Sequence, residues 1–365
     1  MNGAFPIAVT VVTGFLGAGK TTLINRLLKD PALADTAVIV NEFGEVGIDH
    51  LLVEASSDGV IELSDGCLCC SVRGELVDTL AELIERVQTG RIASLRRIVI
   101  ETTGLADPVP VLQSLMAHPV LMQALRLDGV VCAVDAVTGL DALDRHAEAV
   151  RQVAVADTVL VTKTDMTAAA AMTDIEARIA AINPQARLLR NDAGIGAAAL
   201  LSGAGGDALT QRLAEQDDGH GHDHDHHGDH GHDHAHRHHH HKSSIRSFAL
   251  THDAPVDMAT IGMFLDLLRS QQGERILRMK GIVWVSQDEA RPVVVHGVGA
   301  LLHPPVRLEA WPGGKRETRI VIIGDGLDES YVRKIFDAFL GRAAVDTPDR
   351  AALEDNPLAI PGVRL

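Results

Sequence analysis

An α/β protein with a mostly parallel, doubly wound sheet and a smaller α/β (α+β) domain behind it is predicted by three features of the sequence. Short β-branched apolar runs alternate with helical periodicity through the first half, as a parallel sheet covered on both faces requires. A tract of His, Asp and Gly from His220 to His241 then interrupts the pattern, and a second alternating region follows from Ser243 to Arg342. At 365 residues the chain also exceeds what one core usually supports, roughly 250 to 300 residues.

Composition narrows the function classes. The formal charge of -16 and an aromatic share of 3% disfavour nucleic acid, which needs clustered cations and stacking platforms. No run of about 18 apolar residues occurs that would span a membrane. The first residues lead into a strand without a basic, signal-type segment. With cysteines that look unpaired, this predicts a cytoplasmic protein in a reducing environment.

Ile7 to Val12 reads as a buried central strand and feeds Gly14-x4-Gly19-Lys20-Thr21-Thr22, after which Leu23, Ile24, Leu27 and Leu28 recur at helical spacing. That context makes a P-loop of the motif, and the fold class a P-loop NTPase. Gly14, Gly17, Ala18, Gly19, Lys20, Thr21 and Thr22 are the expected nucleotide contacts: backbone N–H groups cradle phosphates, Lys20 reaches the β and γ phosphates, and Thr21 takes Mg2+. A glycine-rich turn that binds nothing is the alternative.

Ala37 to Val40 is a second strand, followed by a loop bearing Glu42, Glu45 and Asp49. Ligands bind at such strand ends in open α/β sheets, so these carboxylates could serve a metal, a water or a switch; a solvated acidic turn would look the same. Val60 to Leu63 reads as a further short strand leading to Asp65 and Gly66-Cys67-Leu68-Cys69-Cys70, which holds three of the four cysteines. Cys67, Cys69 and Cys70 can aim soft thiolates at one zinc-type ion, whereas a disulfide between such close neighbours would be strained.

Leu76, Leu80, Leu83, Ile84 and Val87 mark a helix that stops at Thr89-Gly90. Arg97 to Ile100 is a buried strand delivering Glu101, a Walker B arrangement in which Glu101 backs Mg2+ and Gly104 offers its N–H to a γ-phosphate. Gly129 to Val134 is another strand, with Cys132 in the core and Asp135 at its end. Thr158 to Val161 ends in Thr162-Lys163-Thr164-Asp165. A carboxylate at Asp165 can read the N1–H and 2-amino group of guanine, and an unpaired carboxylate penalises ATP. The usual guanine reader begins with Asn, so Thr162 is a departure.

From Thr167 to about Leu213 the chain is Ala-rich and helical, broken at Asn183-Pro184, with a last strand at Arg187 to Leu189. The interrupting tract holds thirteen of the nineteen histidines and no large apolar side chain, so it cannot pack. It suits loose metal contact, with a flexible acidic linker as the alternative. In the second region, strands are expected at Ile245 to Leu250, Ile282 to Val285, Pro292 to His296, Val306 to Trp311 and Arg319 to Ile323. Helices are expected over Met258 to Leu268 and Glu329 to Leu340. His252, His296, His303 and Trp311 carry no readable ligand spacing. The predicted divisions are residues 1–215, 216–242, 243–342 and a tail at 343–365.

Taken together, Gly14 to Thr22, Asn41-Glu42-Phe43-Gly44, Cys67-Leu68-Cys69-Cys70, Glu101 to Pro108 and Thr162 to Asp165 strongly resemble the CobW family of G3E (SIMIBI class) P-loop GTPases. The resemblance covers nearly the whole chain. It implies a GTP-hydrolysing metallochaperone with GTP/GDP and Mg2+ as cofactors and client metalloproteins as partners, with neither nucleic acid nor membrane; a homodimer stays open. It further implies metal at Cys67, Cys69 and Cys70 with Glu42 nearby, and Lys20, Glu101 and Asp49 as contributors to hydrolysis. The short segment between Asp49 and the cysteines resembles the branch described as zinc chaperones, so Zn2+ is the expected cargo. Cobalt (Co2+) supply for cobalamin synthesis, or another divalent metal, is the alternative within the family. Two readings from other classes are a nucleotide-regulated metal buffer or sensor, and an ATP-dependent kinase or ATPase carrying a structural zinc.

Overall fold

In the computed structural model the described residues are 6–40, 72–92, 94–191, 195–196, 200, 244–312 and 316–342. The first domain is a six-stranded sheet in the order β2-β3-β1-β4-β5-β6, and every pairing in it is parallel. Its strands are β1 (Ile7–Gly14), β2 (Thr36–Val40), β3 (Arg97–Glu101), β4 (Leu125–Asp135), β5 (Thr158–Thr162) and β6 (Arg187–Arg190). All eight residues of β1 are buried, because its faces alternate between two cores. Val9 and Val11 join Ile98, Ile100, Val130 and Val159 on one side, while Val12 joins Val99, Val131 and Leu160 on the other.

Helix α1 (Lys20–Leu27) covers the second side with Leu23, Ile24 and Leu27. The first side is covered by α2 (Val72–Gln88), α3 (Val109–Ala117), α4 (Pro119–Ala124), α5 (Gly139–Arg145), α6 (Ala147–Val155) and α7 (Ala169–Ile182). Helices α3 to α6 are additions to the sequence reading. None exceeds nine residues, too short for periodicity to distinguish them from buried loops. Strand β4 also starts earlier than expected, at Leu125, since Leu125 to Leu127 pair with Ile7 to Val9 ahead of a register shift at Val9/Thr10.

The second domain is an antiparallel sheet ordered β10-β9-β8-β12-β7, with β11 also on β9. These strands are β7 (Ile245–His252), β8 (Ile276–Val283), β9 (Val293–Val298), β10 (Leu301–Leu302), β11 (Val306–Arg307) and β12 (Thr318–Asp325). Helices α8 (Met258–Gln272) and α9 (Glu329–Phe339) pack Phe264, Leu268, Val332 and Phe336 on one face of it. Both begin at an aspartate, Asp257 or Asp328, whose carboxylate accepts two amide hydrogens of the first turn. Two strand expectations need correction. The strand expected at Ile282 begins six residues earlier, and that expected over Val306 to Trp311 pairs through Val306 and Arg307 only. Beyond Arg307 the Trp311 indole donates to the Glu289 carbonyl (2.8 Å) instead of continuing a ladder.

The other face of this sheet leans on the first domain, and Leu277, Val298 and Ile323 enter the first domain's core. No helix among the described residues is long and apolar enough to cross a membrane. The expected strand at Val60 to Leu63, the part beyond Leu200 of the helical stretch expected to reach about Leu213, the histidine tract and the tail at 343–365 lie outside the described residues.

Candidate functional site

Strand β1 sits in the middle of the parallel sheet and ends at Gly14, so the loop to α1 emerges between the C-terminal ends of β3 and β4. Two glycines there are dictated by geometry. A Cβ on Gly14 (φ 142°) would lie 2.3 Å from the Ala133 carbonyl oxygen, and Gly19 (φ 84°) is left-handed at the start of α1. Gly17 is also left-handed, at φ 73°. The loop therefore curls tightly and exposes its amides at a helix N-terminus, the arrangement that favours a polyanion. Lys20 folds back over it, donating to the carbonyls of Gly14 (2.9 Å) and Phe15 (3.4 Å).

The sheet order brings the acidic partner alongside. Strand β3 lies next to β1, and Glu101 at its end is buried and accepts a hydrogen bond from the Thr21 hydroxyl at 2.9 Å. Hydroxyl and carboxylate oxygens side by side make a hard donor set that fits Mg2+. The adjoining loop is pinned at its root, where Thr102 donates its hydroxyl hydrogen to Thr13 (2.8 Å) and its amide to Val12 (2.9 Å). Gly104 then passes so close to the P-loop that a Cβ on it would meet Leu16 backbone atoms at 2.8 to 2.9 Å. The residues present thus fit a nucleotide triphosphate with Mg2+: a glycine cradle, a lysine, and a Thr–carboxylate pair at its rim.

On the other flank, β5 delivers Thr162, Lys163 and Asp165. Thr162, the departure from Asn, donates its hydroxyl to the Ala18 carbonyl in the P-loop at 2.9 Å and so ties the two loops together. Lys163 is left-handed (φ 55°), and its ammonium pairs with Asp135 at 2.6 Å. Burial pushes the Asp135 carboxyl up, but Lys163 and the Val137 amide pull it further down, leaving it below the usual carboxylate range. Asp165 stands exposed in a short turn, open to a ligand. Thr22 lies in the first turn of α1.

Other predicted site residues, Glu42, Asp49, Cys67, Cys69 and Cys70, lie outside the described residues. Their point of departure does not: Val40, the last residue of β2, is the register partner of Glu101. The segment that carries them therefore leaves the sheet beside the Thr21–Glu101 pair. Cys132 is core, and burial pushes its thiol up to about 12 against a small opposing pull from Lys20, so it is a poor ligand.

Sequence reading missed Gln152 and Arg151 on α6. The fully buried Gln152 amide donates to the Gly104 and Ala106 carbonyls, both at 3.1 Å, and Arg151 donates to Asp107 at 2.8 Å. Nothing in a nine-residue amphipathic helix marks these two as neighbours of a loop some 45 positions earlier. Asp135 was read only as the end of its strand and given no role, although a carboxylate ending an apolar strand in this sheet falls at the ligand edge.

Comparison with known proteins agrees with this geometry. The family described as CobW/HypB/UreG, nucleotide-binding domain, matches residues 8–190, and the cobalamin synthesis protein cobW C-terminal domain matches residues 245–340. The chain is 34% identical over 331 residues to the zinc chaperone YjiA of Escherichia coli K12, covering 91% of this chain and 98% of that one. It is 30% identical over 366 residues to the zinc chaperone CobW of a Sinorhizobium species, covering 92% and 97%. The crystal structure of Zn(II)-bound YjiA GTPase from E. coli superposes with a TM-score of 0.64 at 28% identity, over 92% of this chain and 99% of that one. The chain belongs to the CobW/HypB/UreG family of nucleotide-binding proteins and carries the C-terminal domain of its CobW members.

Proposed function

We propose that this protein is a GTPase that binds Zn2+ at Cys67, Cys69 and Cys70 and passes it to client metalloproteins in a step requiring GTP hydrolysis. The observation that carries the reading is the pairing of Val40 with Glu101, which starts the cysteine-bearing segment beside the carboxylate that would back Mg2+. Two full-length relatives named as zinc chaperones support Zn2+ over cobalt.

In this reading the P-loop amides and Lys20 hold the triphosphate, Thr21 and Glu101 hold Mg2+, and Asp165 reads guanine with Thr162 and Lys163 framing it. Bound Mg2+ supplies neutralising charge to the β and γ phosphate oxygens. Gly104 packs against the P-loop at Leu16, and its amide would sense the γ-phosphate, while Asp49 and Glu42 are nominated for the water and the zinc. Three thiolates and one exchangeable donor suit tetrahedral zinc, and exchange at the fourth position permits transfer.

The test is zinc affinity of the full chain with GDP and with a non-hydrolysable GTP analogue, measured before and after Cys67, Cys69 and Cys70 are changed to Ser. The expected result is loss of one bound Zn2+ and of the nucleotide dependence. Unchanged stoichiometry and nucleotide dependence in the triple variant would sink the assignment, and preference for ATP over GTP would sink the guanine reading.

A further inference from the structure

The loop from Gly104 to Asp107 is held from one side by two consecutive residues of α6. Gln152 donates both amide hydrogens to it, at Gly104 and Ala106, and Arg151 donates through Nη1 to Asp107 Oδ2 at 2.8 Å. The same guanidinium donates through Nη2 to Asp325 Oδ2, also at 2.8 Å, at the end of β12 in the other domain. Asp325 is itself anchored there: its carboxylate accepts from the Ser244 hydroxyl, and its amide donates to the Arg275 carbonyl at 2.7 Å. Asp107 is anchored likewise, since its second oxygen accepts at 2.9 Å from the amide of Val109, the first residue of α3.

Helix α6 cannot yield easily between these contacts, because Ala149, Val150 and Val153 are 3%, 3% and 0% exposed in the first domain's core. A displacement of the loop is therefore taken up at the exposed end of the chain of bonds, where one guanidinium is divided between two carboxylates. Burial pushes Asp325 up, while Ser244 and Arg151 hold it below the usual carboxylate range, so this contact is ionised at neutral pH.

We propose that Arg151 is a positioning residue for GTP hydrolysis and that, by sharing its guanidinium between Asp107 and Asp325, it couples the phosphate-side loop to the C-terminal domain. The inference rests on the GTPase reading above. Gly104 touches the P-loop, so a shift there on gain or loss of the γ-phosphate moves Asp107 relative to Arg151 and changes how firmly Arg151 holds Asp325. By reciprocity, a change at Asp325 alters the loop. An ordinary interdomain staple would affect stability and leave turnover alone.

Asp325→Asn separates the two, because Asp325 lies in the other domain, where it bonds Arg151, Ser244 and Arg275. In the full chain it is expected to lower kcat for GTP hydrolysis by about fivefold, the upper end of what a partly exposed ion pair contributes, with KM for GTP within about twofold of the parent. Arg151→Gln is expected to match it, Arg151→Lys to recover part of the loss, and the Arg151→Gln/Asp325→Asn pair to be no worse than Arg151→Gln. Amide exchange at Ile245, Arg246 and Asp325 should differ between GDP and a non-hydrolysable GTP analogue in the parent and lose that difference in Asp325→Asn. A kcat for Asp325→Asn equal to the parent's, or additive losses in the pair, overturns the coupling even if Arg151→Gln fails to fold. Absence of GTP hydrolysis in the parent would instead overturn the functional reading.

Discussion

Among the described residues two ionic contacts join the domains, and their arithmetic is opposite. At Arg151 one cation meets two carboxylates, Asp107 and Asp325, and the three side chains are 36%, 28% and 27% exposed. At Asp157, one carboxylate meets two cations of β8, Arg278 at 3.2 Å and Lys280, and the exposures fall to 2%, 7% and 15%. Asp157 also accepts from the Val130 amide (2.8 Å), and its backbone bonds β4 and β6, so the carboxylate is built into the root of the sheet. Charges in water exchange partners cheaply, whereas a buried charge that loses its partner keeps its full desolvation penalty. The first contact is suited to switching, and the second to holding the domains in register while the first switches.

The sharpest way to break that contrast is Asp157→Asn. It leaves Arg278 and Lys280 buried without their carboxylate and should cost about 3 to 5 kcal/mol of stability, measured by urea unfolding. A loss below about 1 kcal/mol would mean that the buried contact is no anchor.

Acid should reveal the same site. His296 and His303 meet in a tilted ring contact, centroids 4.3 Å apart, within reach of these cations. Burial, then neighbouring charge, pulls His296 down to about 2; burial, then Arg278, pulls His303 down to about 4. Unfolded histidines bind protons below roughly 6.5. Between that pH and about 4 the unfolded chain therefore holds more protons, and stability falls as pH falls. Changing both histidines to Gln should flatten the fall of Tm between pH 6.5 and 4; an unaltered slope would place the acid sensitivity elsewhere.

The smallest effect is expected at the first contact. Asp325→Asn should cost no more than about 1 kcal/mol, and high salt should erase the difference, because the site is open to screening. A cost as large as that of Asp157→Asn would make both contacts anchors and end the distinction.

Much of the candidate site was legible because its signals are contiguous. Gly14 to Thr22 is a strand, a glycine loop and a helix start in one stretch, and Glu101 and Asp135 each end an apolar strand. In the second domain the reading faltered where charge interrupts a strand. Strand β8 runs Ile-Leu-Arg-Met-Lys-Gly-Ile-Val, and Arg278 and Lys280 masked its first half. Both sit on the face turned toward Asp157, where burial is tolerable only because that carboxylate is there.

The sequence alone determined the nucleotide loop, the parallel class of the first sheet and the break between two regions, since each depends on residues adjacent in the chain. The tertiary structure decided the rest. Placing β3 between β2 and β1 set Glu101 against Thr21 and started the cysteine segment beside it, and packing β8 on α6 chose the partners of Arg151 and Asp157. A charged side chain carries no record of its partner, because that choice depends on which two distant surfaces meet and exclude water.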